Sequence, residues 1–160
     1  MASNRQKTSV ALLLEILDQG YTKSAWHGPN LRQSLRGVST LEAAWRPGPS
    51  RHNIWETVVH AAYWKYAVRR RLVGGPRGGF VLKGHNWIPR PNSNTDAEWK
   101  RDRELLAAEH RKLRAAVVQI GSRALQPKFS RQIFGVAFHD VYHAGQIQLL
   151  KRLQQKARRG

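Results

Sequence analysis

The stretch "HNIWETVVHAAYWKYAVRRRLVGG", His52 to Gly75, decides the fold. Asn53 offers a side-chain oxygen to the first free N–H groups of a helix, and Glu56 stands three residues on, the capping-box position. Ile54, Val58, Ala61, Val68 and Leu72 recur near helical spacing, and Gly74 with Gly75 stops the run. The spacing predicts a long helix packed along one apolar stripe.

Working outward, "SVALLLEILDQGYTK" and "AWHGPNLRQSLRGVS" predict a first helix broken at Gly28 and Pro29 and running to about Arg36. "STLEAAW" reads as a short helix capped by Ser39 or Thr40, with Glu42 in the first turn where the helix dipole favours a carboxylate; "RPGPS" ends it. On the other side, "GGPRGGFVLKGHNWIPRPNSNT", Gly74 to Thr95, is long for a connection inside a compact fold. It is either a flap over one end of the molecule or a surface loop pinned by Phe80 and Trp87. The next helix, "DAEWKRDRELLAAEHRKLRAAVVQIG", is opened by Thr95 or Asp96 and closed by Gly121, with Trp99, Leu106, Leu113, Val117 and Ile120 spaced for burial. The last runs from about Ser130 to Gln155. With no repeat, low-complexity tract or sustained alternation, the expected architecture is all-α, one four-helix-bundle domain over residues 1–160 with a long loop between its second and third long helices.

A chain of 160 residues can bury roughly two-thirds of its unfolded surface, so neither metal nor disulfide is needed to hold it together. There is no cysteine, which excludes a disulfide framework, a thiolate zinc site and a cysteine nucleophile. The apolar run Val10–Leu14 is too short for a signal-peptide core, and no run approaches the length of about eighteen residues that a membrane span needs. A soluble, unexported, cytoplasmic protein with no membrane partner is expected. Twenty-eight Lys and Arg against ten Asp and Glu give a formal charge of +18, a field that attracts nucleic acid, an anionic membrane or acidic metabolites, and charge alone does not choose among them. Local clusters stand at "VRRRL" (Val68–Leu72) and "KARRG" (Lys156–Gly160), but no nucleic-acid-binding motif accompanies them. A solvated basic surface explains the charge as well. Trp55, Trp64 and Trp99 fall in amphipathic helices, where core packing is the better account than stacking on single strands.

Near the end, "FHDVYHAGQIQLL" places His139 and His143 four residues apart, so both imidazoles can aim at one point. Gln132, Val136, His139, His143, Gln146 and Leu150 follow the spacing of a bundle seam, which predicts that the pair faces inward. A catalytic divalent centre takes about three protein ligands, so a third must come from elsewhere. His60, mid-helix on a face with Thr57 and Trp64, is the best candidate. His27, His52, His85 and His110 fall at a helix end, a helix start, the loop and a charged stretch, and His27 could approach the mouth of a site. A hydrogen-bonded core cluster is the competing reading of the same histidines.

The strings "SLRGVSTLEAAWRPGPSRHNIWETVVHAAYWKYAVRRRLVGG" and "HDVYHAGQIQLLKRL" resemble the DinB-like, or YfiT-like, superfamily of metal-dependent four-helix-bundle enzymes. The resemblance covers nearly the whole chain. It implies a three-histidine metal site on His60, His139 and His143, with Tyr142, Gly145 and Gln146 as accompanying motif residues. It also implies either a thiol S-transferase using a low-molecular-weight thiol or a metal-dependent hydrolase. The family name suggests DNA damage, so a basic nucleic-acid-binding protein, or a non-catalytic metal-binding bundle linked to stress, is the alternative.

Three imidazoles with an open position suit Zn or Ni first, and Co, Fe or Mn as well. Such an ion would activate a water or a thiol, with Tyr142 and Gln146 as possible helpers and no catalytic side chain assigned. Gln146 could hold a metal-bound water or serve as a fixed hydrogen-bond partner. Gly145 is expected to let a neighbouring backbone or ligand approach. Glu56 and Asp140 could orient a ligand imidazole; their alternatives are a capping role and a solvated face. Arg69, Arg70, Arg71 and Arg90 are expected to form a basic rim for a carboxylate- or phosphate-bearing substrate. A homodimer is also expected to be accessible to a bundle of this size.

Overall fold

The computed structural model describes residues 3–157, so the last three residues of the KARRG cluster lie outside it. Helix α1, Asn4–Tyr21, opens with Ser3 and Gln6 satisfying each other's backbone N–H groups. The chain leaves helix over residues 22–30, around Gly28 and Pro29, and resumes as the four-residue α2, Leu31–Ser34, capped by Asn30. The expected break is therefore a gap of nine residues. Helix α3, Thr40–Ala44, is capped by Ser39 with Glu42 completing the box.

Helix α4, Ile54–Val73, starts at the Asn53–Glu56 capping box and ends at Gly74, whose φ of 77° is the left-handed cap for which glycine is suited. The single apolar stripe expected of it is too narrow: every residue from Ile54 to Ala62 is buried, because α4 packs on α5, α6 and α3. Helix α5, Asp96–Ile120, is capped by Thr95 and stopped at Gly121, where a short 3-10 helix, Gly121–Leu125, turns the chain. Helix α6, Pro127–Ala157, begins three residues before the expected start, with Pro127 in the first-turn position where its missing N–H costs nothing. The four long helices form an all-α bundle in which α4 lies against α5 and α6, and α1 against α6 and α5. Among the described residues there is no strand, and no helix is long and apolar enough to cross a membrane.

Two apolar cores fill the bundle. One gathers Leu31, Ile54, Trp55, Val58, Trp99, Leu106 and Ile147; the other gathers Leu17, Leu72, Leu113, Val117, Ile133 and Val136. Trp55 and Trp99 thus lie in the core, and their indole N–H groups donate to Asp102 and to the Val38 carbonyl. Along α4, α5 and α6 the two cores are separated by a buried polar belt containing Lys65, His110 and Asp140. Lys65 and Asp140 are both fully buried and form an ion pair. Asp140 therefore lies neither on a solvated face nor against a ligand imidazole, since its charge is spent on Lys65.

The close helix crossing is not at Gly145, which is exposed and around which an added Cβ would find open space. It is at Gly20 of α1, where a Cβ would stand 2.9 Å from the Ala137 carbonyl oxygen of α6. The inward face of α6 is likewise set by Ile133, Val136, Ala137, Asp140, His143, Ala144 and Ile147, rotated slightly from the expected seam so that His139 is only partly buried.

Candidate metal centre

Helices α4 and α6 bring three imidazoles together. His60 Nε2 lies 3.0 Å from His139 Nε2, which in turn lies 3.0 Å from His143 Nε2. All three ligand atoms fall within 4.8 Å of one another, with His60 and His143 buried and His139 partly so. Three nitrogens each about 2.0–2.1 Å from a single ion would stand roughly 3.0–3.4 Å apart, so the two short separations match a shared ion.

The protons make the stronger case. His60 Nδ1 lies 3.2 Å from the carbonyl oxygen of Asn86, which can only accept, so the proton sits on Nδ1 and Nε2 presents a lone pair. His143 Nδ1 lies 2.6 Å from Gln146 Oε1, which fixes the same tautomer. Two lone pairs therefore face His139 Nε2, which has at most one proton to give. His139 Nδ1 is buried without a hydrogen-bond partner among the described residues. In the neutral protein the cluster leaves an acceptor unsatisfied, an arrangement that a cation at the convergence point would complete.

Protonation does not resolve the mismatch. Burial, reinforced by His143, pushes His60 down to about 4. Burial, with His143, His60 and Lys65 adding to it, pushes His139 down to about 3, and burial lowers His143 against the opposing bond to Gln146. All three are held in the neutral form that binds a metal.

Around them, Trp87 is sandwiched between two imidazoles, its ring 3.7 Å from that of His60 and 3.7 Å from that of His52, nearly parallel to both. Asn86, at a φ of 56° that asparagine tolerates better than most residues, serves twice: its carbonyl takes the His60 proton and its side-chain oxygen accepts from Trp64 Nε1 at 2.9 Å. The long connection, residues 74–95, is pinned by Phe80 and Trp87 as expected, and its second half, through Asn86 and Trp87, builds one wall of the site. On α6, Gln146 Nε2 donates to the Tyr142 hydroxyl at 3.0 Å, so His143, Gln146 and Tyr142 form a chain ending at the surface.

Other candidates fall elsewhere. Glu56 accepts from Arg46 at 2.5 Å and contacts His52 at 3.1 Å; these bonds outweigh burial and lower its pKa, and its place is the cap of α4 rather than an imidazole of the cluster. Arg90 is buried, 3.0 Å from both Glu98 and Asp102, where it fastens the connection to α5; it forms no rim. Arg69 pairs with Glu109 at 3.2 Å. His27 is exposed in the turn after α1, and His110, in its charged stretch of sequence, is buried beside Tyr21 and Asp18. The role of Asn86 went unread in the sequence; its only signal was an asparagine before Trp87 in a glycine-rich segment.

No curated protein and no solved structure matches the chain. The family model of the DinB superfamily matches residues 25–147, from the turn before α2 to the histidine motif of α6, and on that match the chain belongs to the DinB superfamily.

Proposed function

We propose that the protein is a metal-dependent enzyme whose divalent ion, Zn or Ni first and Co, Fe or Mn as well, is held by His60, His139 and His143. The convergence of three neutral Nε2 atoms, two of them with tautomers fixed by Asn86 and Gln146, carries the reading. When bound, the ion would supply a Lewis acid that makes a thiol or a water nucleophilic near neutral pH. The chain itself has no thiol, so a sulfur nucleophile would have to arrive as a substrate. The resemblance to thiol-using relatives favours a low-molecular-weight thiol, which makes transfer of a group to that thiol the first reaction to test and hydrolysis the alternative.

The protein's own groups have definable parts in such a reaction. Trp87, stacked flat on His60, excludes water from one side of the cluster and holds that imidazole in place. Tyr142 accepts from Gln146 and keeps its own proton, which it can donate to a substrate oxygen at the mouth of the site. With Trp55 and Trp99 in the core, single-strand stacking has lost two of its candidate platforms.

The test is to load the protein with Zn, Ni or Co, offer a panel of small thiols with an electrophilic co-substrate, and follow thiol consumption. Turnover that needs the thiol and is lost in His143→Ala supports transfer. Turnover of activated esters or amides without thiol, equally lost in His143→Ala, supports hydrolysis. Activity unchanged in that variant would remove the histidine cluster from the chemistry.

A further inference from the structure

The first half of the connection, residues 77–85, stands off α4 and leaves a cavity of about 620 Å³. Its cationic lining is Arg70, Arg71, Arg77 and Lys83, with His85 at the same wall. All ten carboxylates of the chain have partners away from this cavity. None of the four cations here pairs with a carboxylate among the described residues. Arg71, Arg77 and Lys83 are exposed, and Arg70 reaches only the Gly75 carbonyl, at 3.4 Å. Like charges facing one hollow concentrate positive potential there.

The rest of the lining is aromatic. Phe80 packs against Tyr63 and Tyr66, each with ring centroids 5.4 Å apart, and Arg71 lies over the Trp64 ring. The wall is built in advance of any ligand: the Gly79 N–H donates to the Tyr66 hydroxyl at 2.8 Å, and a Cβ on Gly79 would crowd that oxygen at 3.3 Å. A slightly larger hollow of about 670 Å³ between α1, α2 and α5 is also basic, but its Lys100 has Glu104 as a partner and no histidine of the cluster lies near its walls.

Trp64 is the partition between this cavity and the metal cluster. Its ring lies 6.4 Å from that of His60 and 6.3 Å from that of His139, and Trp64 also lines the cavity. We infer that the cavity between α4 and residues 77–85 binds a planar aromatic molecule carrying a phosphate group, with the ring against Trp64, Tyr63 and Phe80 and the phosphate among Arg70, Arg71, Arg77 and Lys83. Guanidinium forks match phosphate oxygens in pairs, and a cavity of this size suits a small-molecule ligand. That the ligand is the substrate whose far end reaches the histidines rests on the proposed function; the binding itself does not.

The experiment is calorimetric titration of metal-free protein, in chelator, with 1-naphthyl phosphate, 1-naphthol and inorganic phosphate as probes. Saturable binding of one 1-naphthyl phosphate per chain is expected, with the other two probes at least about tenfold weaker because each lacks half of the recognition. Replacing the exposed cations in Arg71→Gln/Arg77→Gln, which leaves both apolar cores intact, should weaken it by about tenfold or more, and His143→Ala should leave it unchanged. Equal binding of 1-naphthol, or indifference to the double replacement, would overturn the assignment. Loss of binding in His143→Ala with the fold intact would also overturn it, by placing the probe at the histidines. Because metal content is read separately, failure of the metal site and failure of this cavity are distinguishable.

Discussion

Lowering the pH from about 7 to about 5.5 should leave metal affinity nearly unchanged, which separates this cluster from three ordinary surface histidines. A metal competes with protons for each imidazole, so the loss per ligand is the growth of the factor one plus ten to the power (pKa minus pH). For an ordinary histidine of pKa about 6.5 that growth is about eightfold over this interval, and two such ligands lose about seventyfold. With His60 held near about 4 and His139 near about 3 by burial, the same two factors stay within about 10% of one. His143 is displaced in the same direction. Cobalt(II) titration followed by visible absorption, with the fold checked by circular dichroism at both pH values, measures the ratio directly. A loss of about fiftyfold or more on a folded protein would refute the claim that burial holds these imidazoles neutral. The stability of the metal-free fold, by contrast, does depend on pH. The unfolded chain binds protons that the folded chain does not, so metal-free protein should lose stability as pH falls below about 6.5, with buried His110, pushed down to about 3 by burial and by Lys65, contributing as well.

Gln146→Leu removes the acceptor that fixes the His143 tautomer and should cost about tenfold to a hundredfold in metal affinity while the melting temperature of the metal-free protein stays close to wild type. Gly20→Ala should destabilise by about 1–2 kcal/mol in urea unfolding, because its methyl group meets the Ala137 carbonyl and the overpacking outweighs the gain in helix propensity. Lys65→Met alone should cost about 3–5 kcal/mol by stranding Asp140, whereas Lys65→Met with Asp140→Leu should recover most of it.

The helices were legible because their signals are local. Asn53 with Glu56, Ser39 with Glu42, Thr95 and Gly121 each act within one turn of the backbone they satisfy, and the structure uses all of them. The His139–His143 pair was legible for the same reason, since an i, i+4 spacing is a statement about one helix. What escaped depends on partners distant in sequence. Lys65 belongs to a residue type expected at the surface, and only Asp140, seventy-five positions away, allows its burial. Gly20 and Gly145 look alike in a helix, and only the approach of α1 to α6 tells which one has a neighbour. Asn86 sits in a segment without periodicity, so nothing in its spacing announces that it fixes His60 and Trp64 together.

Metal content tests the three-histidine site most directly. Elemental analysis of tag-free protein, wild type beside His60→Ala and His143→Ala, each confirmed folded, should find about one Zn, Ni, Co, Fe or Mn per chain in the wild type and none in either variant. A folded wild type that stays metal-free when offered those ions, or variants that retain the ion, would contradict the three-histidine site and leave the cluster as a buried polar contact between α4 and α6.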